Sequence, residues 1–166
     1  MRNRATLIVV MLVCIASVAY ASFATNLTVN GTGTATGNWN VAVISITPTG
    51  QVGATDQVST PTFNATSATF NVDLAYPGAT SSYQVSIKNN GNISAKVSTI
   101  TDLTAINAGA PTYLTYTMTG IAVNDILAPG ATDVATVTVT WAASATTNPV
   151  GASKAATINF NYVQNT

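Results

Sequence analysis

The sequence predicts an all-β fold: a single antiparallel β-sandwich, jelly-roll-like, with an exchangeable N-terminal strand that follows a cleaved signal peptide. Apolar and polar residues alternate at period two in several segments, as they do in strands with one buried face. Asn-Gly and Pro-Gly pairs separate these segments, and the strand-favouring residues Thr and Val are abundant within them. Helical periodicity is absent from the sequence after residue 21, so we expect no crossover helices.

The first 21 residues have the pattern of a secretory signal peptide. Arg2 and Arg4 precede an apolar stretch over residues 7–18, and residues 19–21 read Ala-Tyr-Ala, which suits cleavage before Ser22. A retained membrane anchor is the alternative, but the stretch is shorter than the ~20 residues that a spanning helix needs. We therefore expect an extracellular or cell-surface protein whose mature form lacks the single cysteine.

Residues 22–37 predict a strand followed by a flexible tether. Phe23, Leu27 and Val29 share one face of an alternating segment, and residues 31–37 contain only small residues, three of them glycine. The segment is either an edge strand of its own domain or an exchanged strand that fills a groove in the next subunit. A head-to-tail exchange of this kind does not close and generates a filament.

The first half of the following domain, residues 38–166, contains three alternating segments. Residues 39–46 change phase in the middle, which predicts a β-bulge that restores both apolar sets to the core. Residues 47–66 hold two prolines and two glycines and are interpreted as a long surface connection. Residues 68–76 and 83–88 predict strands, and Asn90-Gly91 predicts a hairpin turn that leads into a return strand.

The second half contains three more alternating segments, at residues 114–118, 135–141 and 156–162. The sequence shows no second domain and no repeat of useful length. It ends at residues 164–166 directly after a predicted strand, without a sorting motif or anchor helix.

Charge and residue types exclude several classes of function. The mature chain carries three Lys and five Asp, a net charge of −2, so it has no basic patch for nucleic acid and no affinity for anionic membranes after signal cleavage. It contains no His, which closes the usual routes to hydrolytic zinc sites and to Ser or Cys nucleophiles. We expect no enzyme activity, no metal and no cofactor.

The residue types bear on two covalent modifications, an isopeptide bond and N-glycosylation. A Lys–Asn isopeptide bond would need a buried lysine, whereas Lys88 and Lys96 fall on the solvent side of strands or beside a turn. Four sequons for N-glycosylation also occur. Their acceptor residues are Asn26, Asn30, Asn64 and Asn92.

The chain resembles the TasA/camelysin-type biofilm matrix fibre proteins and the similar archaeal bundling pilins. The resemblance lies in a signal peptide followed by Ser-Phe-Ala-Thr, in a Gly/Thr-rich spacer before Asn-Trp-Asn-Val, and in segments 72–78, 83–91 and 94–97. It implies a jelly-roll subunit that is exported, trimmed and polymerised by donation of its N-terminal strand. The donated strand would then be residues 22–30, anchored by Phe23, Leu27 and Val29. Unlike bacterial members, this chain lacks a Lys- and Glu-rich surface, and it lacks the His that a metalloprotease would need.

Two functions follow as hypotheses. The first is a structural subunit of an extracellular filament, pilus or biofilm matrix fibre, whose partners are identical subunits and, through lateral bundling, other filaments. The low surface charge favours such close packing. The second is a monomeric immunoglobulin-like binding or adhesion module of a cell surface.

Overall fold

The computed structural model of the chain describes residues 3–4, 28–146 and 153–166. The chain divides into two compact units, Met1–Ala35 and Thr36–Thr166. In the first unit, residues 3–4 are helical and residues 28–35 are exposed without regular secondary structure. The predicted cleavage site and most of the predicted signal peptide lie outside the described residues.

The second unit is built almost entirely from antiparallel strands, which confirms the all-β prediction. The strands in chain order are β1 (Val41–Val52), β2 (Ala54–Asp56), β3 (Thr62–Asn64), β4 (Ser67–Thr69), β5 (Val72–Leu74), β6 (Thr80–Asn89), β7 (Ala95–Ile100), β8 (Leu114–Thr119), β9 (Ile126–Leu127), β10 (Thr132–Trp141) and β11 (Phe160–Gln164). One short helix, α1 (Leu103–Ala108), lies between β7 and β8.

Two larger sheets and two small ribbons make up the described part of this unit. The four-stranded sheet has the order β1-β6-β10-β8, and the three-stranded sheet has the order β11-β7-β9. Strands β2 and β5 form one two-stranded ribbon, and β3 and β4 form a hairpin.

The core contains side chains from both larger sheets. On β6, the alternating residues Tyr83, Val85 and Ile87 are buried, as the sequence pattern predicts. They share one apolar cluster with Val97 of β7 and Leu127 of β9. Each of these strands has one buried apolar face and one polar face. Because successive residues point to opposite faces, this arrangement appears in the sequence as alternation at period two.

The predicted bulge in β1 is present. The register of β1 against β6 shifts between Val43 and Ser45, so the strand gains one residue there. Ile46 is buried after the shift, whereas Ile44 lies at the bulge and is exposed. The bulge therefore returns Ile46 to the core, and the expectation that Ile44 would also be buried is wrong.

The Asn90-Gly91 turn does not make a hairpin, contrary to the prediction. It joins β6 of the four-stranded sheet to β7 of the three-stranded sheet, so the two strands are not hydrogen-bonded neighbours. Asn89 explains the corner: its fully buried Nδ2 donates to the carbonyls of Ile93 (2.8 Å) and Leu127 (3.1 Å). Its Oδ1 accepts from the Gly91 N–H (3.0 Å), so one amide fixes both sides of the turn.

Three other segments differ from the prediction. Residues 47–66 are not a plain surface connection, because they complete β1 and supply β2 and β3. Helix α1 was not expected, since six residues are too few to show a helical period; Asp102 caps it by accepting from the Thr104 N–H (2.8 Å). At the C-terminal end, only Phe160–Gln164 forms a strand, and residues 153–159 have no regular structure.

Candidate functional site

A groove of about 360 Å³, lined mostly by apolar residues, lies in the second unit and is called the apolar groove below. Its lining residues belong to β1, β6 and β10 of the four-stranded sheet, to β11 and the segment before it, and to the β3–β4 hairpin. The lining residues that carry the argument below are Val43, Val85, Ile87, Ala156, Ile158 and Tyr162.

The groove opens between two sheet edges. Strand β1 is the outer strand of the four-stranded sheet, and β11 is the outer strand of the three-stranded sheet. The edge of β1 is partly covered, because the Val43 N–H donates to the carbonyl of Ala65 in the β3–β4 hairpin (3.0 Å). Among the described residues, no strand lies on the other side of β11.

The backbone of β11 presents unpaired groups along this edge. The Thr101 N–H donates to the Asn159 carbonyl (3.1 Å), and the Asn165 N–H donates to the Ser94 carbonyl (2.9 Å), so residues 159 and 165 are directed toward β7. In an antiparallel pair the direction alternates with each residue. The backbone groups of Phe160, Tyr162 and Gln164 therefore point away from β7, toward the open side. Such an edge is a template for another strand.

The segment before β11 is held in place by a lysine. Lys154 Nζ donates to the carbonyls of Asn107 (3.0 Å) and Leu114 (2.8 Å), and the Tyr116 hydroxyl donates to the Lys154 carbonyl. These bonds tie the segment to α1 and β8. Ala156 and Ile158 then pack on the second apolar cluster, around Tyr116, Val137 and Val139, and also line the groove.

The groove is lined without charged side chains. Tyr162 is the titratable side chain among the lining residues, and its hydroxyl donates to Asp133 Oδ2 (2.9 Å). Burial, then the hydrogen bond to Asp133, raises the pKa of Tyr162 far above its usual value, so the Tyr162 hydroxyl itself stays neutral at every physiological pH. An apolar segment entering the groove thus meets no charged side chain in the lining.

The chain that leads into β1 is clamped at the β6–β7 corner. Asn92 Oδ1 accepts from the Asn38 N–H (2.7 Å), and Asn92 Nδ2 donates to the Thr36 carbonyl (2.9 Å). Backbone bonds from Asn92 to Asn38 and from Asn90 to Asn40 add to this pairing. We call these four bonds the tether clamp. They fix the chain from Thr36 onward.

Gly91 is required at the tether clamp. A Cβ atom at position 91 would collide with the Asn38 carbonyl and would lie 2.9 Å from the Asn40 amide nitrogen. The clamp also sets the position of Trp39, which is 45% exposed and lines the groove. The tether therefore leaves the second unit beside the groove.

The residues predicted for polymerisation are only partly within the described chain. Val29 is 86% exposed, and Thr28 and Asn30 beside it are also exposed. Phe23 and Leu27 lie outside the described residues, as does the sequon residue Asn26. Of the other sequon residues, Asn64 lies at the β3–β4 turn and Asn92 in the tether clamp.

The groove itself could not be predicted from the sequence. Its walls come from segments far apart in the chain, and whether a strand lies at a sheet edge depends on pairing that alternation does not encode. The sequence contains one signal for the groove. Residues 156–162 alternate, which predicts that one face is apolar, but the alternation does not indicate which strand or groove that face contacts.

Across residues 3–4, 28–146 and 153–166, no three acidic, His or Cys side chains come together as metal ligands. In the same ranges, no helix has the length and apolar character to cross a membrane.

Comparison with known proteins assigns no family. The chain matches no family model, and neither the curated proteins nor the solved structures give a match.

Proposed function

We propose that this chain is the structural subunit of an extracellular filament, a pilus or biofilm matrix fibre, that polymerises head to tail by donor-strand exchange. The observation that supports it is the apolar groove beside the free edge of β11. In this proposal the two larger sheets form a single jelly-roll-like sandwich that lacks one strand, and the N-terminal strand of a second copy supplies it.

The donor is residues 22–30. In extended form nine residues span about 30 Å, more than the length of the five-residue strand β11. The donor's backbone would pair with the outward groups of Phe160, Tyr162 and Gln164, while its apolar face would enter the groove. Val29, which is almost fully exposed in the first unit, would become buried.

Burial of the anchors provides the driving force. A fully buried Phe, Leu or Val side chain contributes about 1.5–3 kcal/mol. Three anchors, Phe23, Leu27 and Val29, together with new backbone pairing, stabilise a contact between copies. Because the donor of one copy and the groove of the next are different surfaces, the contact is heterologous and extends into a filament.

The remaining features of the sequence agree with this role. A signal peptide over residues 1–21 would export the subunit, and its removal would expose the donor at the new N-terminus. The subunit requires no catalytic group, metal or cofactor in this proposal, since its function is assembly.

The decisive experiment changes one donor residue at a time. Leu27→Asp places a carboxylate on the groove-facing side of the donor and should abolish filaments seen by negative-stain microscopy of the purified mature protein. Thr28→Asp, one residue further and on the opposite face, should leave filaments intact. Deletion of residues 22–30 should abolish filaments and leave a domain that is either soluble or prone to aggregate.

A synthetic peptide with the sequence of residues 22–30 completes the test. It should bind the deletion variant and raise its thermal stability, and a peptide carrying Asp at position 27 should not. Unchanged filaments in the deletion variant would reject strand donation. A wild-type protein that stays monomeric at all concentrations would favour the adhesion module instead.

A further inference from the structure

The two sequons in the second unit differ in what their asparagine side chains do. Asn64 belongs to Asn64-Ala65-Thr66 and Asn92 to Asn92-Ile93-Ser94, so both have the required hydroxyl residue two positions later. Both asparagines are exposed. Exposure alone does not separate them, but their hydrogen bonds do.

Asn64 has a free amide nitrogen in an ordered turn. Its Oδ1 accepts from the Thr66 N–H (2.9 Å), the Thr66 hydroxyl (3.1 Å) and the Ser67 N–H (2.9 Å). Among the described residues, no acceptor takes a hydrogen bond from its Nδ2. The turn therefore holds the carbonyl end of the side chain and presents the nitrogen to solvent.

Asn92 has no such nitrogen to offer. Its Nδ2 donates to the Thr36 carbonyl, and its Oδ1 accepts from the Asn38 N–H, so both ends of the amide hold the tether clamp. One of the two Nδ2 hydrogens is thus engaged in the folded subunit, and a sugar on this nitrogen would be attached at the atom that holds Thr36. We expect the clamp to disfavour modification at Asn92.

We propose that Asn64 is an N-linked glycosylation site of the folded subunit and that Asn92 is not. The co-reactant is a lipid-linked oligosaccharide of the exporting membrane, in which the anomeric carbon is bonded to a phosphate oxygen. That C–O bond breaks, a bond from Asn64 Nδ2 to the anomeric carbon forms, and the displaced amide proton leaves with the phosphate group. The Thr66 hydroxyl, in contact with the Asn64 carbonyl, is the group that the sequon requires.

The position of Asn64 leaves the groove open. Ala65 and Thr66 line the groove, whereas Asn64 does not. Asn64 is exposed and ends β3, with its amide oxygen held by the turn that follows. A glycan there is attached outside the groove lining, so the inference holds whether or not the groove accepts a donor strand.

The test is peptide mapping of the mature protein isolated from the cells that encode it. Proteolysis followed by tandem mass spectrometry should find a hexose-containing mass increment on the peptide with Asn64 and none on the peptide with Asn92. An unmodified Asn64 overturns the proposal, and so does an equal increment on both peptides.

Variants made in the same cells locate the attachment. Asn64→Gln should remove the increment, and Thr66→Ser, which keeps the sequon and its hydroxyl, should retain it. Circular dichroism of each variant verifies the fold, so that a loss of the increment is not due to misfolding. An increment that survives in Asn64→Gln would place the glycan elsewhere and contradict the assignment.

Discussion

Asn92 links the tether to the domain through a single side chain. It makes two side-chain hydrogen bonds, to Thr36 and Asn38, and neither partner belongs to a regular strand. Both bonds are exposed, so each contributes the ordinary net value of a hydrogen bond, about 0.5–1.5 kcal/mol. The neighbouring Asn90 is different, since only its backbone N–H takes part in the clamp.

We therefore predict that Asn92→Ala lowers the free energy of unfolding by about 1–2 kcal/mol, from the two lost hydrogen bonds. Asn90→Ala, in the same turn, should change it by less than about 0.5 kcal/mol, as exposed substitutions usually do. Urea unfolding gives both values, and amide hydrogen exchange should show faster exchange at Asn38 only in Asn92→Ala. Equal effects of the two variants would mean that the side chain of Asn92 does not hold the tether.

Tyr83 makes the fold sensitive to alkaline pH. Its side chain is fully buried, and its hydroxyl donates to Asp56 Oδ1. Burial, followed by the hydrogen bond to Asp56, raises the pKa of Tyr83 to about 12, compared with about 10 in an unfolded chain. A raised pKa means that the folded state favours the neutral phenol. The stabilisation is complete below pH 10 and is lost as the pH rises toward 12.

We predict that the free energy of unfolding falls between about pH 10 and about pH 12. Tyr83→Phe should reduce this slope without abolishing it, because burial also raises the pKa values of Tyr116 and Tyr162. Urea unfolding at stepped pH measures the slope, and tyrosinate absorbance monitors ionisation. If Tyr83→Phe and the wild type lose stability in parallel, Tyr83 is not a source of the pH dependence.

Single residues also show where sequence reasoning reaches its limit. The burial of Tyr83, Val85 and Ile87 could be predicted, because alternation encodes which face of a strand is apolar. The burial of Asn89 could not. An Asn next to Asn-Gly is typical of a turn, and only the carbonyls of Ile93 and Leu127, brought there by folding, make its burial favourable.

At the scale of elements, long alternating strands were predictable and short ones were not. Strands β6 and β10 have ten residues each, enough for the period to stand out. Strand β3 has three residues, too few for a periodicity to identify, and the single strand predicted over residues 68–76 is divided into β4 and β5, which belong to different ribbons. The pairing partner of β7 was also beyond prediction, because an Asn-Gly turn allows both a hairpin and a corner between sheets.

The groove wall before β11 offers a matched pair of alanines. Ala156 is half-buried and lines the groove, whereas Ala155 beside it is exposed and does not. We predict that Ala156→Phe fills the groove and prevents filament formation, because the added ring occupies the space that a donor side chain needs. Ala155→Phe adds the same ring outside the groove and should leave assembly unchanged.

Microscopy of both variants measures assembly, and thermal unfolding shows whether each subunit still folds. A folded Ala156→Phe subunit that forms normal filaments would show that the groove is not the acceptor. Loss of filaments in both variants would point to a general effect of surface apolarity.

For the whole molecule, the outer face of the four-stranded sheet and the low net charge determine whether filaments would associate laterally. The face of the four-stranded sheet that points away from the core carries mostly hydroxyls. Ser82 of β6 and Thr138 of β10 are hydrogen-bonded to each other (2.8 Å), and Thr117 of β8 is paired in register with Thr138. A hydroxyl both donates and accepts, so a surface of this kind is complementary to a copy of itself. With residues 1–21 removed, as the proposed export requires, the chain carries a net charge of −2, and little repulsion opposes lateral contact.

We therefore predict that filaments bundle at low ionic strength and that added salt changes bundling little, because screening has few charges to act on. Gln84, exposed at the centre of this face and paired in register with Thr47 and Thr136, is the residue to change. Gln84→Glu takes the net charge of the mature subunit from −2 to −3 and repeats that charge along every filament, so light scattering and microscopy should show dispersed filaments at low salt and bundles again at high salt. Gln84→Met, similar in length but uncharged, should bundle as the wild type does. Wild-type bundles that form only in high salt would show that charge repulsion, and not hydroxyl complementarity, controls the lateral contact.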